Sequence, residues 1–224
     1  MSGKLRDIAE ALFKNKPMKI IIPMSGYGER FRRVGYKIPK SLILVEGIPI
    51  INHVINMFSE DDEFIFICNV EDLNNVDYNM REILSKCSKN STIISIEPHK
   101  LGPVHAVLQA RELINNDPFI VNYCDFTCYW DWKEFKKFVI NTGCKGAIPA
   151  YKGFHPHSLG KTNYAYIKNN NLIVEDIQEK KPFTKNKMQE FASSGTYYFS
   201  SGKEMIKAFE FIIKNNFQVN GEYY

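Results

Sequence analysis

The chain has 224 residues, 44% of them hydrophobic, and its 29 basic and 25 acidic residues leave a formal net charge of +4. This length suits one substantial domain, and so mild a charge, with no basic stripe on any element, argues against nucleic acid as a partner. No apolar stretch approaches the roughly 20 residues that span a membrane, and no signal-peptide core is present, so we expect a cytoplasmic protein without a membrane partner.

The five cysteines have neither a Cys-x-x-Cys pair nor zinc-ligand spacing, which is typical of reduced thiols inside a cell. Their pattern therefore predicts no structural metal.

The first predicted element is an N-terminal helical extension over residues 1–17, where apolar and charged residues alternate at helical spacing up to Pro17. A domain over residues 18–224 follows. Its predicted strands cover residues 18–23, 64–69, 92–97, 118–122 and 146–151, and its predicted helices cover residues 49–58, 78–87, 103–115 and 131–141. This alternation predicts a single α/β domain with a mixed, mostly parallel sheet and helices on both faces.

The pattern changes after residue 160. A hairpin is predicted from residues 164–168 and 172–177, then a strand over 194–199 and a helix over 202–215. We expect this half to extend the same sheet.

A glycine loop follows the first strand and is the most informative feature of the sequence. Gly26 and Gly28 allow the backbone N–H groups to turn toward an anion, and Arg30 and Lys40 add positive charge. A dinucleotide fingerprint would need a glycine where Phe31 stands, and a P-loop would need Gly-Lys-Ser/Thr at its own spacing. The loop therefore predicts a phosphate site, and the alternative is a surface loop with solvated charges.

This order of residues resembles the Gly-x-Gly-Thr-Arg and Pro-Lys motifs of the nucleotidyltransferases that activate sugar phosphates and related compounds. The resemblance implies a Rossmann-like nucleotidyltransferase fold whose loop wraps a nucleoside triphosphate. It also implies that Arg30 binds the departing pyrophosphate and that Lys40 binds phosphate, while Glu29 replaces the usual threonine. The nucleotide-binding residues expected in this part of the chain are Met24, Ser25, Gly26, Tyr27, Gly28, Glu29, Arg30 and Lys40.

A carboxylate ends the predicted strand at residues 118–122. Asp125 comes to the carboxyl edge of the sheet, where ligands bind in open α/β folds. A hard oxygen ligand suits Mg²⁺, or Mn²⁺ as an alternative, and the family has an aspartate at the equivalent place. Cys124 departs from the family's usual glycine. A helix N-cap is the competing role for Asp125, but Asp131 lies closer to the next predicted helix.

The turn at residues 99–107 opens a predicted helix, so its backbone can face a nucleobase. The resemblance implies that His99 and Gly102 bind the nucleotide, whereas Pro103 and His105 depart from the family's base-reading turn. His105 is either a substrate contact or a histidine packed on a helix face.

Two further motifs resemble the family's acceptor side. Glu179-Lys180-Lys181-Pro182 is similar to Glu-Lys-Pro, and because Lys181 directly precedes the proline we assign it the acceptor phosphate. The run at residues 193–199 is similar to the family's small-x-Gly-x-Tyr strand. The acceptor-binding residues that the resemblance implies are Cys124, Glu179, Lys181, Ser194 and Gly195.

The family reaction joins a phosphorylated small-molecule acceptor to the α-phosphate of the nucleotide and releases pyrophosphate, with Arg30, Lys40, Asp125 and Lys181 as the catalytic residues. A branch of the family found in bacterial capsule clusters, the CTP:phosphoglutamine cytidylyltransferases, is similar to this chain at residues 122–126, 151–157 and 221–224. This resemblance implies CTP and L-glutamine phosphate as substrates. The implied product is CDP-L-glutamine, which serves the synthesis of capsular phosphoramidate. The alternatives are a sugar-1-phosphate nucleotidyltransferase, a glycosyltransferase and a catalytically silent nucleotide-binding protein.

The acceptor region also contains His155, His157, Lys161 and Tyr164, and His-x-His spacing alone is a weak metal signal. Family members commonly continue beyond the equivalent of Tyr224 and supply a second acidic metal ligand there, so we expect this ligand outside the sequence. Neither the base nor the oligomeric state follows from the spacing.

Overall fold

The structure is a computed structural model that describes residues 16–154 and 162–224. The predicted N-terminal helix, apart from its last two residues, lies outside the described residues, as do His155, His157 and Lys161.

The strands and helices follow one another in the chain much as the sequence predicts. The strands are β1 (Lys19–Met24), β2 (Leu44–Val45), β3 (Ile48–Pro49), β4 (Glu63–Asn69), β5 (Ser91–Ile96), β6 (Phe119–Asn122), β7 (Gly146–Ala147), β8 (Ala150–Tyr151), β9 (Ala165–Asn170), β10 (Ile173–Glu179), β11 (Phe191–Ser193) and β12 (Thr196–Phe199). The α-helices are α1 (Glu29–Arg33), α2 (Ile50–Ile55), α3 (Val70–Asn74), α4 (Met80–Cys87), α5 (Pro103–Leu108), α6 (Trp132–Thr142) and α7 (Gly202–Lys214).

The main sheet has six strands in the order β5-β4-β1-β6-β12-β7. β1 pairs in parallel with β4 and with β6, so that Ile21 lies between Ile65 and Val121, and β4 pairs in parallel with β5. β12 runs antiparallel to β6 and to β7. This arrangement confirms the predicted α/β domain with a mixed, mostly parallel sheet.

Helices cover both faces of this sheet, because successive side chains of a strand point to opposite sides. Ile20 and Ile22 belong to a buried cluster that includes residues of α2, α4 and α6. Ile21 belongs to a second buried cluster, with residues of α5 and α7. The long apolar strands are therefore explained by burial on both sides.

The second half of the chain does not simply extend the main sheet, and this prediction was wrong in part. Only β12 and β7 join it, while β10, β9, β11 and β8 form a second sheet in that order. The predicted strand over residues 146–151 divides at Pro149, which has no N–H to donate to a neighbouring strand. The Pro149 carbonyl accepts a hydrogen bond from the Ser194 N–H at 3.0 Å. The chain thus passes from one sheet to the other at this proline.

The predicted helix over residues 103–115 is also shorter than expected. After Leu108, the N–H groups of Gln109 and Ala110 bond to carbonyls three residues earlier, and a 3₁₀ turn follows at Arg111–Leu113. No helix in the described part of the chain is long and apolar enough to cross a membrane.

Candidate functional site

The glycine loop connects β1 to α1 at the carboxyl edge of the main sheet. Gly28 has φ +63°, a left-handed conformation that glycine adopts without a Cβ penalty, and its carbonyl accepts hydrogen bonds from the N–H groups of Phe31 and Arg32. A Cβ on Gly26 would have no atom within 4 Å, so the space beside this loop is open. Met24 and Ser25 are buried at the start of the loop, while Arg30 is exposed.

The turn at residues 99–102 lies against this loop. Lys100 Nζ is 2.5 Å from Glu29 Oε1 and 5.7 Å from the ring centroid of Tyr27. Ser25 Oγ lies 3.3 Å from His99 Nε2. The structure therefore brings together the loop and His99, two parts of the predicted nucleotide site that are about 70 residues apart in sequence.

The hydrogen bonds fix the tautomer of His99. Its Nδ1 accepts a hydrogen bond from the Leu101 N–H at 3.2 Å, so the proton of the neutral ring is on Nε2 and is donated to Ser25 Oγ. The ring of His105 lies 4.5 Å from that of His99, centroid to centroid. Burial lowers the pKa of both histidines, and the neighbouring His105 lowers that of His99 further, so both rings are neutral near pH 7.

Gly102 packs directly on the last residues of the chain. The N–H of Tyr223 donates to the Leu101 carbonyl at 2.8 Å, and the N–H of Val104 donates to the Tyr223 carbonyl at 3.3 Å. Gly102 has φ +87°, and a Cβ there would lie 2.5 Å from the Tyr223 carbonyl oxygen. Only glycine allows residues 222–224 to dock at this turn.

Lys40 and Asp125 form an ion pair, with Nζ 3.0 Å from Oδ2. The side chain of Lys40 is 28% exposed and that of Asp125 is 26% exposed, so the pair is accessible to a ligand. Burial alone would lower the pKa of Lys40, but the charges of Cys124 and Asp125 outweigh burial and raise it. Because burial raises the pKa of the Cys124 thiol to about 11, that thiol is protonated near neutral pH, and Asp125 is the effective partner.

Asp125 does not cap the following helix. Asp131 does so instead, since its Oδ1 accepts a hydrogen bond from the Glu134 N–H at 3.0 Å. The carboxylate of Asp125 is thus left at the sheet edge beside Lys40.

Asp125 also fits the requirements of a divalent ion. Within residues 16–154 and 162–224, no three His, Cys, Asp or Glu side chains gather into a metal-binding cluster. Mg²⁺ on a nucleotide usually takes only one or two protein carboxylates, together with water and phosphate oxygens. A single accessible carboxylate beside a phosphate loop is compatible with that donor set.

A second group of charges surrounds Lys180, which follows β10. Its Nζ lies 3.2 Å from Glu222 Oε2, 3.8 Å from Glu179 Oε1 and 4.1 Å from the ring centroid of Tyr224, and it also bonds to the Tyr224 hydroxyl. Burial raises the pKa of Glu179. Burial and the carboxylate of Glu222 raise that of Tyr224.

Arg30 connects the two groups of charges. Its positive charge acts to lower the pKa of Lys40 and that of Tyr224. Both pKa values are nevertheless raised overall, that of Lys40 by the neighbouring negative charges and that of Tyr224 by burial and Glu222. Arg30 is thus within electrostatic range of both Lys40 and Tyr224.

The two segments that contain the predicted acceptor residues Cys124, Ser194 and Gly195 are hydrogen-bonded to each other. The Tyr123 N–H donates to the Gly195 carbonyl at 2.9 Å, and the Gly195 N–H donates to Ser193 Oγ at 3.0 Å. Gly195 has φ +72°, and a Cβ there would lie 3.1 Å from the Tyr123 ring. Cys124 and Ser194, both buried, flank this junction.

Lys181 is the residue that the sequence predicts for the acceptor phosphate, and this stays a prediction; the structure places Lys180 in the charged cluster and leaves Lys181 exposed. Lys180 has φ +60°, and this turn separates the two lysines. Counting from Glu179, rather than back from Pro182, favours Lys180 over Lys181. Glu222 and Tyr224 were not among the predicted site residues, although their tetrapeptide resembled the capsule branch.

Comparisons with known proteins all identify nucleotidyltransferases as similar to this chain. Residues 19–218 match the nucleotidyl transferase family profile. The chain is 28% identical over 176 residues to mannose-1-phosphate guanyltransferase 2 of Candida glabrata, covering 76% of this chain and 48% of that protein. It is 27% identical over 186 residues to the mannose-1-phosphate guanylyltransferase catalytic subunit beta of Xenopus tropicalis, covering 82% and 50%.

Among solved structures, a nucleoside-diphosphate-sugar pyrophosphorylase from Vibrio cholerae RC9 superposes with a TM-score of 0.68 at 20% identity, covering 92% of this chain and 83% of that chain. At this identity the likeness concerns the fold. The chain spans about half the length of the two relatives above.

Proposed function

Because the chain belongs to the nucleotidyl transferase family, we propose that it transfers a nucleotidyl group from a nucleoside triphosphate to a phosphorylated small molecule and releases pyrophosphate. The observation that supports this most is the Lys40–Asp125 pair, 3.0 Å apart, at the sheet edge beside an open glycine loop. The charge of Arg30 acts on Lys40 and on Tyr224 in the Lys180 cluster. Such a site can hold two phosphorylated substrates side by side.

In the proposed reaction, an oxygen of the acceptor phosphate attacks the α-phosphorus in line. The bond from that oxygen to phosphorus forms, the bond to the αβ-bridging oxygen breaks, and pyrophosphate leaves with the electron pair. The acceptor oxygen is already anionic, so no general base is required. The work of the protein is to hold two mutually repelling anions in line and to neutralise their charge.

Each charged residue has a separate part in this proposal. The loop N–H groups and Arg30 bind the triphosphate and the departing pyrophosphate, and Lys40 neutralises the α-phosphate. Members of this family typically use a divalent metal ion. When bound, this ion, Mg²⁺ or Mn²⁺, supplies positive charge to the triphosphate, and Asp125 is the residue that would hold it.

Lys180 is the proposed ligand of the acceptor phosphate, in place of Lys181. Its ammonium group is held by Glu222, Glu179 and Tyr224, so it is positioned before the acceptor arrives. Such preorganisation reduces the entropy lost on binding. Glu179 and Glu222 also provide acceptors for polar hydrogens of the substrate.

Two substrate pairs follow from different observations. The resemblance of residues 122–126 and 221–224 to the capsule branch supports CTP and L-glutamine phosphate, with CDP-L-glutamine as the product. The names of the relatives support a sugar 1-phosphate and another triphosphate. The nucleotidyl transfer is common to both.

The test is to incubate the protein with Mg²⁺, each of the four common ribonucleoside triphosphates or dTTP, and either glutamine phosphate or a panel of sugar 1-phosphates. Acceptor-dependent release of pyrophosphate supports the proposal, and the active pair identifies the substrates. Triphosphate binding without pyrophosphate release for any pair would leave a silent nucleotide-binding protein. Use of a nucleotide sugar with release of nucleoside diphosphate would indicate a glycosyltransferase.

A further inference from the structure

Helix α1 carries Arg30 but has no buried face. None of its five residues, Glu29–Arg33, is buried, and all five lie in the part of the chain that the structure describes. The ring of Phe31 meets that of Tyr36, 5.8 Å away between centroids, but Tyr36 is itself exposed. A helix this short is not stable alone, and most helices are held by an apolar face packed on the core. Polar contacts therefore have to fix the position of α1.

Two ion pairs connect α1 to other parts of the domain. Lys100 Nζ is 2.5 Å from Glu29 Oε1, but both side chains are exposed, so water and salt weaken their attraction. Arg32 Nη2 lies 3.5 Å from Asp72 Oδ1, and the side chain of Asp72 is only 6% exposed. A pair with one buried partner is screened much less. The contact with Asp72 is thus the firmer of the two.

The buried carboxylate of Asp72 depends on Arg32 in turn. Burial raises the pKa of Asp72, and the positive charge of Arg32 acts against that rise. A buried carboxylate without a partner is costly. Asp72 therefore favours the position of α1 that brings Arg32 to it.

Asp72 itself has a rigid support. It belongs to α3, which directly follows β4. The fully buried Asn69 caps α3, since its Oδ1 accepts a hydrogen bond from the Glu71 N–H at 2.7 Å. Leu73, next to Asp72, is buried in the same cluster as Ile22 of β1. Asp72 is therefore a fixed point on which the exposed helix α1 can be held.

The helical geometry of α1 relates this anchor to Arg30. Successive residues of an α-helix are rotated by about 100°, so residues two apart point to nearly opposite sides. With Arg32 directed at Asp72, Arg30 is directed away from α3, and its charge acts on Lys40 and on Tyr224. The sheet order agrees, because β4, which precedes Asp72, and β6, which precedes Asp125, lie on opposite sides of β1.

Resting on the proposed function, we infer that Asp72 is a positioning residue, which holds α1 through Arg32 so that Arg30 faces the triphosphate and the departing pyrophosphate. Asp72 acts on the reaction only through α1. Its effect on triphosphate binding therefore depends on the presence of Arg30, whereas a residue that merely stabilises the fold would act with or without that side chain.

Hydrogen exchange of the substrate-free protein, measured on the peptide that contains residues 29–33, tests the anchoring. Asp72→Asn and Arg32→Gln should each speed exchange of this peptide about threefold to tenfold, because each removes one charged contact. Arg32 is half exposed, so Arg32→Gln still tests the anchor if Asp72→Asn fails to fold. Glu71→Gln and Arg33→Gln, which remove the same charges from exposed neighbouring positions, are the matched controls and should change exchange less than about twofold.

Calorimetry tests the action through Arg30, with Mg²⁺ and each of the four common ribonucleoside triphosphates or dTTP as probes. Asp72→Asn should raise the Kd of whichever triphosphate binds by about threefold to tenfold. In an Arg30→Ala background the same substitution should change the Kd by less than about twofold, because the side chain that it positions is gone.

The two measurements separate the possible failures. Unchanged exchange of residues 29–33 in the folded Asp72→Asn and Arg32→Gln variants would overturn the inference. So would an unchanged triphosphate Kd in those variants, or an equal increase with and without Arg30, which indicates a purely structural role. Failure of the unmodified protein to bind any triphosphate would overturn the proposed function, whereas the exchange measurement needs no substrate and would still decide whether Asp72 anchors α1.

Discussion

Replacing Gly102 by alanine should disconnect the end of the chain from the turn beside the nucleotide loop. The new Cβ would lie 2.5 Å from the Tyr223 carbonyl oxygen and 2.8 Å from the Tyr223 nitrogen. Contacts this short to backbone atoms cannot be relieved by a side-chain rotation. Either the turn distorts or residues 222–224 move away, and in the second case Lys180 loses Glu222 and Tyr224.

The size of the effect follows from the backbone. A φ of +87° costs a residue with a Cβ about 1–3 kcal/mol, and two hydrogen bonds to Tyr223 contribute about 0.5–1.5 kcal/mol each. The free energy of unfolding should therefore fall by about 2–6 kcal/mol. For a domain of this size each kcal/mol lowers Tm by about 2–4 °C, so a decrease of at least about 4 °C is expected.

The assay is thermal unfolding of Gly102→Ala with and without triphosphate, beside Gly47→Ala as the control. Gly47 also has positive φ, +83°, but a Cβ there would meet no atom within 4 Å, so its variant reports backbone strain alone. Gly102→Ala should unfold at the lower temperature and should also bind the acceptor more weakly. If the two variants unfold within about 1 °C of each other and bind acceptor as the unmodified protein does, the docking of residues 222–224 has no energetic importance and the reasoning is refuted.

Three further predictions concern single residues. Asp125→Asn should lower metal-dependent pyrophosphate release at least about tenfold while Tm changes little, and full activity with an unchanged metal requirement would contradict the assignment. Lys180→Ala should raise the acceptor KM about tenfold or more, since a charged hydrogen bond contributes about 1.5–3 kcal/mol. Lys181→Ala should change the acceptor KM by no more than about twofold, and the reverse order of effects would favour Lys181 as the ligand of the acceptor phosphate. Burial lowers the folded-state pKa of His99 and His105 below the ordinary 6.5, so the unfolded chain binds more protons than the folded one as the pH falls. The free energy of unfolding, measured in urea, should therefore decrease below pH 6.5, and it should decrease less in the His99→Asn, His105→Asn double variant. A decrease of the same size in that variant would show that other groups are responsible.

The main sheet was predictable because its strands are apolar on both faces and follow turn signals. The run Ile20-Ile21-Ile22 needs burial on two sides, which only a covered sheet gives, and glycines at 26 and 28 mark the exit from the strand. Asp125 was placed at the carboxyl edge by the same logic. These features depend on residues that are close in sequence.

Other features of the structure depend on distant contacts or on a single backbone angle, and local sequence patterns do not encode them. Residues 222–224 dock on a turn more than 100 residues away, and no local pattern encodes that contact. The choice between Lys180 and Lys181 depends on a φ of +60° at Lys180, which is rare outside glycine, asparagine and aspartate. The second sheet arises at Pro149, where a run with the composition of one strand divides in two.

Phosphorus-31 NMR of a reaction mixture containing the protein, Mg²⁺, the preferred triphosphate and its phosphorylated acceptor tests the central claim most directly. Transfer to the α-phosphorus predicts equal amounts of inorganic pyrophosphate and of a product with two coupled phosphorus signals, one from the nucleotide and one from the acceptor. Formation of nucleoside monophosphate without the coupled product, or of nucleoside diphosphate with inorganic phosphate, would show hydrolysis or attack at another phosphorus and would contradict the proposed function.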